Sequence, residues 1–206
     1  MTGKKIAGFA RGAVSRFDIV AIAASAGGVG ALSQVIGALP SDFGAIIVIV
    51  QHVDPRHRSL MPQVIGRQAR LPVMHAQDGM SVQLDHVYLA PPDHHMLINR
   101  KGLITLTDTE LVNFVRPSAD LLFESVAAAF GEGAIAVVLT GTGRDGAMGV
   151  TAIKERHGTV VVQDEASSDF FGMPSAAIKT GSVDFVLPLA EIAPKLIALV
   201  AGKVRD

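Results

Sequence analysis

At 206 residues, 49% hydrophobic and 18% charged, the chain can bury a sizeable core and is too apolar to be disordered. A formal net charge of −1 gives no field to draw nucleic acid or an anionic membrane, and no apolar run approaches the roughly 18–20 residues of a membrane span. The absence of cysteine excludes a thiol nucleophile, a disulfide framework and a thiolate metal site, and is compatible with a cytoplasmic protein.

Residues 1–17 carry basic side chains but no sustained apolar stretch, so they read as a flexible N-terminal arm rather than a signal peptide. Residues 18–206 read as one domain, without repeat, low-complexity segment or linker. The run from Asp18 to Ala24 is a buried strand that ends at Ser25 and is followed by glycines and a helix, Gly28 to Leu39, stopped by Pro40. Ala45 to Val50 is a second strand, ending in Gln51-His52. Arg58 to Arg70 is expected to be helical, and Pro72 to His75 and His86 to Ala90 to be short strands. Met96 to Ile98 and Leu103 to Leu106 flank Asn99-Arg100-Lys101-Gly102, a hairpin signal expected at a sheet edge.

Ser118 is placed to cap a helix from Ala119 to Phe130, stopped by Gly131. A third long strand, Ala134 to Leu139, runs into the loop Thr140-Gly141-Thr142-Gly143-Arg144-Asp145-Gly146. Helices follow at Ala147 to Arg156, Pro174 to Lys179 and Glu191 to Val200, alternating with strands at Thr159 to Val162 and Val183 to Val186. Strands alternating with helices imply an α/β fold: a doubly wound, mostly parallel sheet with helices on both faces and an edge β-hairpin. Met148, Met173 and the phenylalanines are expected in the core.

The three longest apolar strands thus end in Ser25, His52 and, after a glycine loop, Asp145. In open α/β sheets ligands sit beyond the carboxyl ends of the strands, where strand order reverses, so these residues can meet at one edge. A serine hydroxyl is a weak nucleophile. It needs an imidazole to take its proton and an acid to fix that imidazole's tautomer and stabilise its cation. Each residue also has a plain structural reading: Ser25 as an N-cap, His52 as a solvated loop residue, Asp145 as the cap of the helix beginning at Gly146. What lifts the set is its recurrence at three strand ends of the same kind.

Other constellations are weaker. Gly27-Gly28-Val29-Gly30 misses the G-x-G-x-x-G pattern, and there is no G-K-[ST] phosphate loop. Asp93-His94-His95 could hold a metal, but adjacent histidines on an extended segment point to opposite faces, so no metal and no cofactor are expected. The Thr140–Gly146 loop could cradle a phosphate with its backbone N–H groups, or serve an oxyanion.

At these residues the chain resembles the catalytic domain of the chemotaxis protein-glutamate methylesterases, the CheB type. The matching pieces run in order: Ala24-Ser25-Ala26-Gly27-Gly28; Ile49-Val50-Gln51-His52; Val87-Tyr88-Leu89-Ala90-Pro91 with His95-Met96; Arg116-Pro117-Ser118-Ala119-Asp120; Leu139 to Ala147; Gln163-Asp164-Glu165; and Gly172-Met173-Pro174. The resemblance implies a serine hydrolase in cytoplasmic, phosphorelay-associated signal transduction. Such an enzyme removes methyl groups from glutamate γ-methyl esters on methyl-accepting chemoreceptors and deamidates particular receptor glutamines, with no cofactor. It maps the catalytic triad onto Ser25, His52 and Asp145, and puts the oxyanion and site lining at Ala26, Gly27 and Thr142. Arg56, Arg116 and Arg144 are candidates to meet acidic neighbours on a receptor helix.

The sequence departs from the family pattern in two places at the site: Ala26 stands where Thr is common, and Thr142 where T-G-M-G has Met. A backbone donor at 142 survives that change, whereas a side-chain contact does not. Family members usually carry an N-terminal receiver domain, and about 17 residues precede the first strand here. The competing reading is a signalling interaction module of the same fold, either non-catalytic or acting on an altered substrate.

Overall fold

A computed structural model describes residues 19–53 and 59–202. In chain order these form β1 (Ile19–Ala24), α1 (Gly28–Gly37), β2 (Ile46–Gln51), α2 (Met61–Gly66), β3 (Val73–His75), β4 (Val87–Leu89), β5 (His95–Ile98), β6 (Ile104–Thr107), α3 (Ala119–Phe130), β7 (Ala134–Val138), α4 (Ala147–Glu155), β8 (Thr159–Gln163), α5 (Gly172–Lys179), β9 (Phe185–Leu187) and α6 (Leu189–Ala201). A short 3-10 turn, Gly131–Gly133, joins α3 to β7. The expected N-terminal arm lies outside the described residues.

Seven strands pair in parallel in the order β3-β4-β2-β1-β7-β8-β9. The chain starts at the centre with β1, works outward through β2 to one edge, then returns to β7 and works outward to the other. The reversal therefore falls between β1 and β7. Every residue of β1, β2 and β7 is buried, which is why these strands read as continuous Ile, Val and Ala runs.

Side chains of β1 alternate between two apolar layers. Ile19, Ala21 and Ala23 join Leu122 and Phe123 of α3, Val150 and Ile153 of α4 and Met173 of α5. Val20, Ile22 and Ala24 join Leu32 and Ile36 of α1, Met61 and Ile65 of α2 and Leu196 of α6. The small alanines near the end of β1 let helices approach closely on both sides where the strand delivers Ser25.

Two expectations change in detail. The hairpin forms, but β5 and β6 make a separate two-stranded antiparallel sheet and do not pair with an edge of the main sheet. Met96, Ile98 and Ile104 feed the layer containing α3, and Ile98 N–H donates to Ser125 Oγ of that helix at 3.1 Å, so the hairpin covers α3. The expected helix from Arg58 to Arg70 is α2, and spans only Met61–Gly66. No described helix is long and apolar enough to cross a membrane.

Candidate active site

Ala24 and Gln51 are register partners at the ends of β1 and β2, so Ser25 and His52 lie one residue further on, side by side at about a strand spacing, ~4.8 Å. His52 N–H donates to Ala24 O at 3.1 Å and Ser25 N–H to Thr140 O at 3.0 Å, extending both ladders into the loops. Gln51 then does what its sequence position did not suggest. Its side chain is buried, and its Nε2 donates both to Ser25 O at 2.8 Å and to His52 O at 2.9 Å. One amide thereby fixes the spacing of the two chain segments past the last ladder bond. Among the described residues Gln51 Oε1 has no partner. It lies against Gly28, where an added Cβ would overlap it.

Asp145 follows β7 across the switch point. Its Oδ2 is 2.9 Å from His52 Nε2 and accepts Ala119 N–H at 2.6 Å. Its Oδ1 accepts the Ser118 hydroxyl at 2.8 Å, Asp120 N–H at 3.3 Å and Asn113 Nδ2 at 3.4 Å. The carboxylate thus sits on the N-terminus of α3, where free N–H groups and the helix dipole favour an anion. Burial alone pushes this carboxyl up. The hydrogen bonds from His52, Ala119 and Ser118, with the charge of His52, outweigh that and hold it below the usual carboxylate range. An ionised Asp145 can only accept, so His52 Nε2 carries a proton, and in the neutral ring Nδ1 keeps the lone pair. The ring is turned relative to the common triad, in which the carboxylate holds Nδ1–H. No hydrogen bond joins Ser25 Oγ to His52.

The structural readings of these residues therefore resolve in part. Asp145 does cap a helix, but it is α3 and not the one beginning at Gly146. Ser118 occupies the N-cap position of α3 and makes no side-chain cap bond, its hydroxyl being turned to Asp145. Ser25 is not an N-cap either, since Gly27 holds that position on α1 with φ 76, a left-handed conformation that suits glycine.

The oxyanion candidates flank Ser25. Among the described residues the N–H groups of Ala26, Gly27 and Thr142 donate to no acceptor. The 140–143 loop comes against the serine: a Cβ on Gly141 would stand 2.8 Å from Ser25 Cβ. That loop is held from behind. Gly141 N–H donates to Phe170 O at 2.9 Å, Met173 N–H to Gly141 O at 2.8 Å, and Thr140 Oγ1 to Ala26 O at 3.0 Å. Gln163, buried at the end of β8, accepts Thr140 N–H at 2.8 Å and donates to Ser167 O at 2.7 Å. It stitches loops beyond the sheet as Gln51 does.

A second carboxylate adjoins the first. Asp120 is buried, accepts Gly149 N–H at 2.8 Å and shares the Asn113 amide with Asp145, taking it at 2.8 Å. Burial raises its pKa, and the Asp145 charge adds to that against the bonds from Gly149 and Asn113. Of the other candidates, His95 is buried with both nitrogens engaged: Nδ1 accepts Ser118 N–H at 3.1 Å and Nε2 reaches Glu110 O at 3.0 Å. It braces the α3 N-terminus and is not free to join His94, which is exposed and turned to Pro92 O. Arg116 is committed to Asp93 and to the carbonyls of Asp108 and Thr109, so it does not stand free for a substrate. Arg144 is exposed, and Arg56 lies outside the described residues. Met173 is buried as expected, but Met148, Phe114 and Phe170 are exposed and do not belong to the core.

Comparison with known proteins agrees with this architecture. The family model for CheB methylesterase matches residues 20–196. A Cupriavidus metallidurans protein named protein-glutamate methylesterase/protein-glutamine glutaminase 2 is 43% identical over 184 residues, 89% of this chain and 54% of its own. A Leptospira interrogans relative is 37% identical over 183 residues, covering 89% of this chain and 95% of its own. The crystal structure of the Thermotoga maritima CheB methylesterase catalytic domain aligns with TM-score 0.86 at 37% identity, over 89% of this chain and 99% of that one. The chain spans about half the length of several of the curated relatives it matches. With a family match over most of its length and the same fold, the chain belongs to the CheB methylesterase family.

Proposed function

We propose that the chain is a serine esterase that hydrolyses glutamate γ-methyl esters on methyl-accepting chemoreceptors, in the cytoplasm, and deamidates receptor glutamines by the same route. The observation that carries this reading is the His52–Asp145 pair, set one strand away from Ser25 at the reversal of strand order. The names of the relatives supply the substrate class.

In this reading His52 Nδ1 takes the hydroxyl proton as Ser25 Oγ attacks the ester carbonyl. Asp145, ionised and saturated with donors, holds the ring by Nε2–H and stabilises its cation. Backbone N–H groups of Ala26, Gly27 or Thr142 receive the oxyanion. Protonated His52 returns its proton to the leaving methoxide and methanol departs. Water, deprotonated by His52, then releases the glutamate. With a glutamine side chain the same steps expel ammonia. The Met-to-Thr difference at 142 leaves a backbone donor in place.

Methanol released from a methylated receptor fragment, measured for wild type and Ser25→Ala, tests the reading. Release by wild type and its loss in the variant are expected. A folded wild type that releases none would contradict it and leave the interaction-module reading standing.

A further inference from the structure

At residues 112–115 the chain makes a tight turn beside the two buried carboxylates. Val112 and Val115 exchange both backbone hydrogen bonds, at 3.2 and 3.0 Å, closing a turn of two residues. Its central residues, Asn113 and Phe114, have φ of 51 and 65. A turn with two left-handed residues favours Asn followed by Gly. Asn113 fits, and its side chain fastens the turn, donating to Asp120 Oδ2 at 2.8 Å and lying 3.4 Å from Asp145 Oδ1 and from Arg144 Nε. Phe114 does not fit. A bulky residue in this conformation is strained, and its ring gains nothing from the core in return, being 95% exposed.

An aromatic ring held in water on strained backbone, next to the residue that touches Asp145, is explained neither by folding nor by the chemistry of the triad. It is not isolated. Met148, in the first turn of α4 just past Asp145, is exposed, and so is Phe170, whose N–H is bonded at 2.9 Å to Thr140 Oγ1 behind the serine loop. These three apolar side chains rise from segments fastened to the candidate site.

Resting on the esterase reading above, we infer that Phe114 is a specificity-determining residue that seats on an apolar surface of a polypeptide substrate beside its scissile side chain. A ring standing clear of the surface meets a substrate that extends over the edge of the site. It does not meet a small ester bound at Ser25. Phe114 therefore contributes binding to protein substrates and takes no part in bond making.

The test is steady-state kinetics on a methylated receptor fragment and on p-nitrophenyl acetate, with wild type, Phe114→Gly and Phe114→Tyr. Glycine suits the φ at this position, so Phe114→Gly keeps the fold, with a thermal midpoint equal to or above that of wild type. Its selectivity, the ratio of kcat/KM on the fragment to that on the small ester, falls about tenfold, the order of one lost aromatic contact. The loss sits in KM for the fragment, and Phe114→Tyr restores the wild-type ratio. An unchanged ratio in Phe114→Gly overturns the inference alone, as does an equal loss on both esters. A wild type that hydrolyses the small ester but releases no methanol from the fragment overturns the parent reading, and this inference with it.

Discussion

Gln51 shows how a residue of no obvious chemistry can set the geometry of a site. Its amide nitrogen ties the carbonyls of Ser25 and His52 together from a buried position, and its oxygen finds no partner among the described residues. Gln51→Met should take the amide donor from both carbonyls, Ser25 O keeping only Gly28 N–H at 2.9 Å, and cost about 1–3 kcal/mol of stability. Its larger effect is expected on kcat with little change in KM, because the relative placement of Ser25 and His52 relaxes. Denaturant midpoints alongside kcat and KM check this. A rate loss no greater than a stability-matched core variant shows would contradict it. Asp145 makes a prediction in pH. Its folded-state pKa is lowered, so the stability it contributes is fully present above the ordinary carboxylate value of about 4 and is lost as pH falls through its lower folded value. Asp120 has the opposite sign: its raised pKa means that ionisation costs the folded state. Denaturation followed from roughly pH 6 to pH 2 should show the acid limb due to Asp145 flattened in Asp145→Asn. That variant should also lose roughly 10⁴-fold in kcat, from the wrong imidazole tautomer.

At the scale of elements, the loops past the strands are held by hydrogen bonds from behind and by close packing. Gly141 is the clearest case, because Met173 Sδ and Ser25 Cβ crowd the place its Cβ would take. Gly141→Ala should push the 140–143 loop off the serine, costing about 1–3 kcal/mol by overpacking and lowering kcat by orders of magnitude. A circular dichroism melt and the esterase rate measured together separate the two effects, and a rate near wild type would sink the argument. The same scale shows where the sequence was legible. The elements themselves were readable from apolar runs and helix stops. Their ends were less so, and for physical reasons. Apolarity places the end of β2 at Val50, but the ladder continues to Gln51, in register with Ala24, because the polar amide is satisfied on the loop carbonyls. The hairpin signal was sound, yet sequence cannot tell that β5 turns its Met96 and Ile98 onto α3 instead of extending the main sheet. The turn at 112–115 carries no glycine and so gives no turn signal, and the exposure of Phe114 follows from that turn.

Over the whole molecule the logic is that of strand order. Three polar residues ending long apolar strands were visible in the sequence because period and run length mark central strands. That His52 and Asp145 meet, with Ser25 on the neighbouring strand, follows from β2-β1-β7 lying side by side at the reversal. Less legible was what residues from elsewhere in the chain do at Asp145: Ser118 and Asp120, which lie in a stretch resembling the family, and Asn113 all bond to it where the start of α3 meets the loop after β7. They carry no motif of catalysis, and only the assembled fold gives them a role. The helix that Asp145 caps also places its positive end against the carboxylate, so one contact serves folding and the proposed chemistry together.

On the proposed reading this edge makes Ser25 a nucleophile through His52. A fluorophosphonate probe with the adduct mapped by mass spectrometry tests it most directly, on wild type and His52→Ala. A single adduct on Ser25 is expected, formed orders of magnitude more slowly in the variant. No adduct on folded wild type, an adduct on another serine, or equal labelling of the two proteins would contradict it.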